Sequence, residues 1–583
     1  MFKRRTRRSL VAGVALAAAL AGSLPAFSSA TASAAPAADT PEAGEYIVVA
    51  KSPGDLDALK QDLQSSGITV QDDLSQVGAV SVSVDAAQAA KLSTDSHVAT
   101  LAKNNRRSLI APEDTTPQTF SQLKHEHAAE IALQDPAYSA PGLMWNLDRI
   151  ESPRADKITS GKGDVIVAVA DTGLDFTHSE LAGKIIGQED FTAAESPPIC
   201  STYFGGSDQD AADFYGGPAN TDWNGHGTWI GGNIAANADG IGINGIAPTV
   251  KLFDLKISQW CGSAYDSTIL SSFLYAADHG IDIVSISFGG YLDRTDPDQE
   301  AIYQAYVQAV AYAKTKGTII VAAAGNEHVR IGDGGVVLSH GSLTLPGDPV
   351  EDLYGLYETP GGIPGVVMVS STGNVTMAAS KKCAPDNDVS AAVCKPKSDA
   401  HQPIAAGKKD QLAYYSNYGP RIDIAAPGGA RKFNLPAADR GGSPGFPDTI
   451  ADGTTAFEEF SITSNWALEI PCTVFTNGPF YLGECYSTIQ GTSMATPHVS
   501  AVAALIVSAH KSARHNPDKI LKYLKDGARS ATNYTPALSA SDTSPGDRTH
   551  LACPDGYCHL GGKAISSREA YGAGILDAYK SVK

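Results

Sequence analysis

Residues 301–326 read AIYQAYVQAVAYAKTKGTIIVAAAGN, which is a helix pattern, a glycine and a strand pattern in direct succession. The helix pattern runs from Ala301 to Lys316 and is closed by Gly317, a residue type on which helices commonly end. Thr318 to Ala323 follows at once as a strand and leads into small residues. A helix joined to a strand by so short a link is typical of repeated β-α-β units.

The same alternation of strands and helices continues on both sides of this stretch. A helix pattern at residues 269–277 ends at Gly280 and leads directly into a strand at 281–286. Further strand patterns lie at residues 164–170, 250–257 and 366–370. These units predict an α/β fold with a mainly parallel sheet and helices on both faces. In such a sheet, functional groups are expected at the carboxyl ends of the strands.

Three regions depart from this pattern. Residues 45–103 predict a small α+β unit with the ferredoxin-like order β-α-β-β-α-β. The polar stretch at 104–140 has few periodic apolar positions and is interpreted as a linker or processing region, the alternative being a loop of the main domain. Residues 430–490 are rich in Gly, Pro and Asp and are interpreted as a long surface insertion.

The first residues are typical of a secretory signal peptide. A basic stretch from Lys3 to Arg8 precedes a short apolar run at 10–21, and Ala32-Ser33-Ala34 offers a small-residue cleavage site. The alternative, a membrane anchor, needs roughly 20 apolar residues, which is more than this run contains. We therefore expect residues 1–34 to be a signal peptide and the protein to be secreted and extracellular, without membrane association after its removal.

The composition is that of a soluble globular protein. Apolar residues make up 43% of the chain, and the formal net charge is −19. Since nucleic acids and anionic membranes attract basic surfaces, this charge gives no support to either as a partner. The same charge keeps neighbouring copies apart, and we expect a monomer.

Eight cysteines lie beyond the signal peptide, and an even count in an exported chain favours disulfides. The connectivity does not follow from the sequence, but pairing in sequence order closes the shortest loops. A metal site is the alternative, and the chain lacks the paired C-x-x-C spacing that metal sites commonly use. The pairing in sequence order is Cys200 with Cys261, Cys383 with Cys394, Cys472 with Cys485, and Cys553 with Cys558.

Four segments carry residue types suited to nucleophilic catalysis. Asp171 follows a buried strand, where a carboxylate needs a partner, and His226 lies among glycines. Ser493 stands at the start of an apolar helix pattern, where free N–H groups and the helix dipole favour negative charge. Asn326 follows a strand and offers an amide donor of the kind that an oxyanion requires. Taken singly, each has an ordinary interpretation as a cap, turn or loop residue.

Together, these segments resemble the subtilase family of serine peptidases. DTG at 171–173, HGT at 226–228, AAGN at 323–326 and GTSMATP at 491–497 stand in the order of that family. The resemblance covers about residues 140–583, and the unit at 45–103 resembles the inhibitory propeptide of secreted subtilases. The implied organisation is a signal peptide at 1–34, a propeptide and linker at 35–139, and a subtilisin-like peptidase domain at 140–583.

The resemblance also implies the roles of individual residues. Ser493 is the nucleophile, His226 the general base and acid, Asp171 the group that orients the imidazole, and Asn326 the oxyanion donor. Substrate-binding residues are implied in two segments, Ser287, Phe288 and Gly289 on one side and Ala323 and Gly325 on the other.

No cofactor is expected for catalysis. A structural Ca²⁺ is a further expectation, because residues 237–243 align with a calcium loop of the family and Glu180 with a carboxylate ligand of that site. Glu180 and Asp239 are the candidate ligands. The alternative is an ordinary Asp-Gly turn.

The function implied is that of a secreted serine endopeptidase that acts on proteins or peptides and is made as a self-processing zymogen, inhibited by its own propeptide. Two alternatives stay open. An α/β-hydrolase esterase would use Ser493 with a later histidine, His498, His510 or His559, but it needs further strands after the serine. A secreted subtilase-like protein kept for binding alone is the other alternative.

Overall fold

A computed structural model represents the protein, and it describes eleven stretches of the chain. The predicted signal peptide, most of the predicted insertion at 430–490 and residues 110–143 lie outside them. Residues 42–583 form one compact unit. The described residues are 41–109, 144–240, 242–343, 351–374, 381–382, 394–395, 409–413, 415–429, 462–466, 485–530 and 565–583.

The first strands and helices build a small four-stranded sheet with two helices. Its strands are β1 (Gly44–Ala50), β2 (Val70–Leu74), β3 (Ala79–Val84) and β4 (Val98–Lys103), and its helices are α1 (Pro53–Ser65) and α2 (Ala86–Leu92). The sheet has the order β2-β3-β1-β4, and every pair is antiparallel. Ser52 caps α1, and Asp85 and Gln88 form a capping box on α2, so that both helices begin where the local sequence directs.

The remaining elements follow along the chain from Arg106. The strands are β5 (Arg106–Leu109), β6 (Ile166–Asp171), β7 (Ile185–Asp190), β8 (Lys251–Lys256), β9 (Ser263–Tyr265), β10 (Ile283–Ile286), β11 (Phe288–Leu292), β12 (Ile319–Ala323), β13 (Ser342–Leu343), β14 (Glu351–Asp352), β15 (Tyr357–Thr359), β16 (Val367–Asn374), β17 (Lys381–Lys382), β18 (Cys394–Lys395), β19 (Lys409–Leu412), β20 (Ile424–Pro427), β21 (Ile462–Trp466) and β22 (Cys485–Ile489). The helices are α3 (Trp145–Arg149), α4 (Ser152–Ala155), α5 (Ile199–Phe204), α6 (Asp208–Tyr215), α7 (His226–Ala235), α8 (Asp266–Asp278), α9 (Pro297–Lys316), α10 (Thr492–Ala509), α11 (Pro517–Gly527), α12 (Ser567–Tyr571) and α13 (Ala578–Val582).

The central sheet has the order β19-β16-β12-β10-β6-β8-β7, with β20 pairing on β16. All its pairs are parallel except that of β16 with β19. The mainly parallel sheet with flanking helices that the alternating pattern predicted is therefore confirmed. The helix predicted from Ala301 is one turn longer, since Asp296 caps it and Pro297 opens it.

Helix α10 is buried in the core. It is long and apolar enough to cross a membrane by length and composition, yet 94% of it is buried within the protein. It contacts α7 and the strands β10, β12, β16 and β20, so one buried helix joins several parts of the site. Among the described residues after Ser493 there is no further strand of the central sheet, so the strands that the esterase alternative requires are missing there.

Strand β5 lies in the stretch predicted to be a linker, and this part of the prediction is wrong. It pairs antiparallel with β9 on one side and with β11 on the other. In that register Leu109 lies opposite Phe288, and Ser108 opposite Gly289. Its two arginine side chains find partners within the protein, Arg106 on the ring of Tyr203 and Arg107 on the carboxylate of Asp266.

The predicted pairing of Cys200 with Cys261 is confirmed. The disulfide links α5 to the loop before β9. Strand β9 is in turn one of the two strands that pair with β5. The other three predicted pairs involve side chains outside the described residues.

Candidate active site

The four predicted catalytic residues lie at the ends of strands of the central sheet or at the starts of helices that pack against it. Asp171 is the last residue of β6, and His226 is the first residue of α7. Ser493 lies in the first turn of α10, and Asn326 follows the end of β12. Helices α7 and α10 pack against each other. The carboxyl edge of the parallel strands therefore collects residues that are far apart in the sequence.

Asp171 and His226 form a buried pair. The Nδ1 atom of His226 lies 2.7 Å from Oδ1 of Asp171, and each residue is only 1% exposed. The backbone N–H of Thr172 also donates to Oδ1 of Asp171, at 2.8 Å. Within the described part of the chain, Nε2 of His226 is buried and accepts no protein hydrogen bond. This geometry orients the imidazole so that Nε2 is the nitrogen that can take up a proton.

Asp222 holds the start of the histidine helix, a role that the sequence interpretation missed. Its Oδ1 accepts hydrogen bonds from the backbone N–H groups of Asn224 and Gly225, and its Oδ2 accepts from the N–H and hydroxyl of Thr228. A carboxylate at a helix amino terminus satisfies donors that the helix itself leaves unpaired. The Asp-x-Asn-Gly pattern before the histidine is the signal that could have indicated this cap.

Gly227 packs directly against the turn that follows Asp171. A Cβ atom at this position would lie 2.0 Å from the carbonyl oxygen of Gly173. The turn after Asp171 and the first turn of α7 are therefore in direct backbone contact. Any side chain at 227 would push the histidine away from its acid.

Lys256 stabilises the turn that follows Asp171, a role that the sequence interpretation also missed. Its ammonium group is fully buried, donates to the carbonyl oxygen of Thr172 at 2.6 Å, and lies 2.8 Å from Oδ2 of Asp208. Burial alone would lower the pKa of Lys256, but the surrounding carboxylates, Asp208 first, raise it above its ordinary value. The lysine therefore stays charged next to the residue that follows Asp171.

We expect Lys256→Met to lower the free energy of unfolding by about 3–5 kcal/mol, because it leaves the Asp208 carboxylate buried without its counter-charge. The double variant Asp208→Asn/Lys256→Met should recover most of that loss, since it removes both charges. Urea unfolding in a Ser493→Ala background measures this without self-digestion. Lys251→Met, at the other and more exposed end of β8, is the matched control, with an expected change within about 0.5 kcal/mol. Equal losses of unfolding free energy in the Lys256 and Lys251 variants would contradict a stabilising role of the buried pair formed by Lys256 and Asp208.

The amide group of Asn326 is oriented by Thr492. Its Oδ1 accepts hydrogen bonds from the backbone N–H of Thr492 at 3.0 Å and from the Thr492 hydroxyl at 2.8 Å. The opposite end of the amide, Nδ2, is consequently turned away from Thr492. Since Thr492 precedes Ser493, the same contacts tie the amide donor to the start of the serine helix.

The first predicted substrate segment lies beside Ser493. The hydroxyl of Ser287 donates to the backbone carbonyl of Ser493 at 3.3 Å. Phe288 and Gly289 are the residues of β11 that pair with β5, so a strand of the protein itself occupies this edge. An extended peptide laid along β11 would run directly toward Ser493.

The second predicted substrate segment lies at the end of the neighbouring strand. Ala323 is the buried last residue of β12. Gly325 has a φ of 100°, and a Cβ atom there would lie 2.3 Å from Nδ2 of Asn417. Glycine is therefore required at 325 both for the backbone conformation and for the close approach of Asn417.

His498, one of the histidines considered for the esterase alternative, has a structural role. Its Nδ1–H donates to the carbonyl of Met494 at 2.8 Å, and its Nε2 accepts from Nδ2 of Asn146 at 2.9 Å. Complete burial lowers its pKa to about 4, so it is neutral at ordinary pH. With both ring nitrogens engaged, His498 links α3 to α10 rather than acting as a base.

One oxygen of Glu180, the first candidate calcium ligand, is engaged by protein donors. Its Oε1 accepts hydrogen bonds from the hydroxyl of Tyr486 at 2.6 Å and from the N–H of Ile243 at 3.1 Å. Oε1 therefore has a structural role, and calcium binding at Glu180 stays a prediction. Asp239, the second candidate ligand, is exposed. Tyr486 lies in the segment predicted as an insertion, which is why the sequence did not indicate this contact.

The arrangement combines a buried acid–imidazole pair, a serine at a helix start and an amide donor held next to that serine. This set of groups can activate a hydroxyl, attack a carbonyl and stabilise the resulting oxyanion. The adjacent strand edge can hold an extended peptide, which supplies such a carbonyl.

Comparisons with known proteins agree with this chemistry. A sequence model of the subtilase family matches residues 162–548. Thermitase of Thermoactinomyces vulgaris is 25% identical over 380 residues, covering 65% of this chain and 86% of thermitase. Fervidolysin of Fervidobacterium pennivorans is 24% identical over 430 residues, covering 73% of this chain and 46% of fervidolysin.

Solved structures show the same fold at low sequence identity. The epidermin leader peptide processing serine protease of Staphylococcus aureus superimposes with a TM-score of 0.58 at 18% identity, covering 93% of this chain and 98% of that protein. Fervidolysin superimposes with a TM-score of 0.54 at 18% identity, covering 93% of this chain and 61% of that protein.

Proposed function

Because this chain belongs to the subtilase family, we propose that it is a secreted serine endopeptidase that forms an acyl-enzyme on Ser493 and is made as a self-processing zymogen. The observation that carries the proposal is the buried hydrogen bond between His226 and Asp171, 2.7 Å long, at the sheet edge where Ser493 and Asn326 also lie. Labelling by a fluorophosphonate probe, together with casein cleavage, tests it. A processed protein that neither reacts with the probe nor cleaves casein would refute it.

In the proposed reaction each catalytic group acts once in formation of the acyl-enzyme and once in its hydrolysis. His226 takes the proton of the Ser493 hydroxyl as the oxygen attacks the scissile carbonyl, and Asp171 stabilises the imidazolium that forms. Nδ2 of Asn326 and the N–H of Ser493 bind the oxyanion. His226 then gives its proton to the leaving amine, and water repeats the sequence on the acyl-enzyme. Main-chain pairing with β11 accounts for binding of many peptide sequences.

We expect Asn326→Ala to lower kcat by about 10²–10³ while KM changes little, a magnitude measured on subtilisin. The reason is that this donor acts on the oxyanion rather than on the bound peptide. Steady-state kinetics with a peptide substrate measures the two constants separately. Asn516→Ala, an exposed residue at the start of α11, is the control. A rise in KM with unchanged kcat would show that Asn326 binds substrate instead.

The inhibitory role of the amino-terminal unit is supported by its docking on α8. Asn104 exchanges two hydrogen bonds with Ser267, at 2.9 and 3.0 Å. The hydroxyl of Ser271 donates to Oδ1 of Asp72 at 3.1 Å. The unit therefore rests on the outer face of α8 while β5 reaches into the strand edge. A parallel sheet of nonlocal pairs folds slowly, and a unit docked in this way can help it form.

The position of β5 narrows the proposed processing site, expected from the sequence between about 104 and 140. Ser287, which contacts Ser493, immediately precedes Phe288, and Phe288 pairs with Leu109. We therefore place self-cleavage within the first few residues beyond Leu109. Amino-terminal sequencing of the secreted protein checks the position. Trimming at the same place in Ser493→Ala protein from a protease-free host would show that another protease does it.

A further inference from the structure

The side chain of Arg107, on β5, enters a closed pocket. It is only 4% exposed, and Asp266 beneath it is fully buried. The guanidinium binds Asp266 through two parallel contacts, Nε to Oδ1 at 2.6 Å and Nη2 to Oδ2 at 2.9 Å, while Nη1 donates to the carbonyl of Tyr291 at 3.1 Å. A Cβ atom at Gly290 would lie 2.9 Å from Cδ of Arg107, so glycine leaves the room that the arginine needs.

The pocket belongs to the body of the protein and not to the amino-terminal unit. Asp266 opens α8, and the hydroxyl of Tyr306, on α9, donates to Oδ1 of Asp266 at 2.7 Å. Burial, with the charge of Asp266 next in importance, raises the pKa of Tyr306 well above its ordinary value, so the hydroxyl stays protonated and keeps donating. Tyr306 alone does not neutralise the buried carboxylate.

Removal of β5 on processing would leave Asp266 without its counter-charge. A buried carboxylate whose partner has been removed is strongly unfavourable, and it regains that free energy when a fitting cation returns. Any substrate that replaces β5 between β9 and β11 presents one side chain to this pocket. We propose that the mature protease selects peptides with an arginine at this position, two residues before the residue that lies opposite Phe288. The inference rests on the proposed function.

Arginine fits the pocket better than lysine. The two oxygens of Asp266 and the carbonyl of Tyr291 lie around a planar, forked donor, and each receives a hydrogen bond. A lysine ammonium is a point donor on a flexible stem and cannot form the parallel pair of bonds. The pocket therefore recognises the planar shape of the guanidinium as well as its charge.

The neighbouring Arg106 provides an internal control. Its guanidinium lies over the ring of Tyr203, 4.2 Å from the ring centroid, on α5. Arg106 is partly buried, whereas Arg107 is 4% exposed and forms two hydrogen bonds with a buried carboxylate. Substrate selection should accordingly depend on the position of Arg107 and only weakly on that of Arg106.

The test uses internally quenched peptides that span residues 104–113, cleaved by the unaltered mature enzyme. Citrulline in place of Arg107 keeps the shape and removes the charge, and we expect kcat/KM to fall by about 100-fold. Lysine at that position should be intermediate, and alanine in place of Arg106 should change kcat/KM less than about threefold. A loss below about tenfold for citrulline overturns the inference.

The enzyme side of the same contact is tested with Asp266→Asn, which should lower kcat/KM for the arginine peptide but not for the citrulline peptide. Asp518→Asn, an exposed aspartate on α11, is the matched control. If Asp266→Asn protein does not accumulate, the peptide series on the unaltered enzyme still decides. No cleavage of any peptide would refute the proposed function together with this inference, whereas equal cleavage of all peptides would refute this inference alone.

Discussion

Ser493→Ala is expected to lower kcat by about 10⁶-fold, the magnitude measured when the triad serine of subtilisin is removed. In the proposed mechanism the serine oxygen is the atom that becomes bonded to the substrate, so no neighbouring group can substitute for it. The residual rate comes from the oxyanion donors and from substrate binding. Burst and steady-state kinetics with a peptide substrate measure the effect, and fluorophosphonate labelling should disappear in parallel.

Ser508→Ala is the matched control, because this buried serine lies in the last turn of the same helix and donates to the carbonyl of Ala504. It should react with the probe at the normal rate. The proposed nucleophile would be wrong if Ser493→Ala protein, free of other proteases, kept more than about a thousandth of the activity.

Asp171→Asn is expected to lower kcat by about 10⁴-fold. The carboxylate accepts the Nδ1–H of His226 in a buried setting, so it selects the tautomer in which Nε2 can take a proton. An amide of the same shape removes the negative charge and can present its N–H to Nδ1, which favours the other tautomer. The substitution keeps the volume, so the loss should appear in kcat rather than in the melting temperature.

Asp164→Asn, just before the same strand and paired with Arg514 at the surface, is the control for loss of a carboxylate. Its activity should stay within about twofold of the unaltered enzyme, as expected for an exposed pair. Nearly normal activity of Asp171→Asn would show that the imidazole needs no acid, and would remove Asp171 from the proposed triad.

Periodicity along the chain predicted five of the eight strands of the central sheet, β6, β8, β10, β12 and β16, but not β7, β19 or β20. A buried parallel strand must be apolar on both faces and the helix after it apolar on one, so both leave local patterns such as that of residues 301–323. The groups at the strand ends were predictable for a related reason. The chemistry proposed for Asp171, His226 and Ser493 requires those residue types next to small residues, and this local requirement is visible in the sequence.

The contacts that support the site were decided by the tertiary structure alone. Lys256 ends β8 and Asp208 opens α6, and each resembles an ordinary surface residue until folding buries the pair. The strand at Arg106 to Leu109 was hidden in the same way, because Arg107 finds its carboxylate on a distant helix. Whether a polar residue is buried depends on a partner that lies far away in the sequence, so local sequence cannot show it. An apolar periodicity, in contrast, is visible within the local sequence.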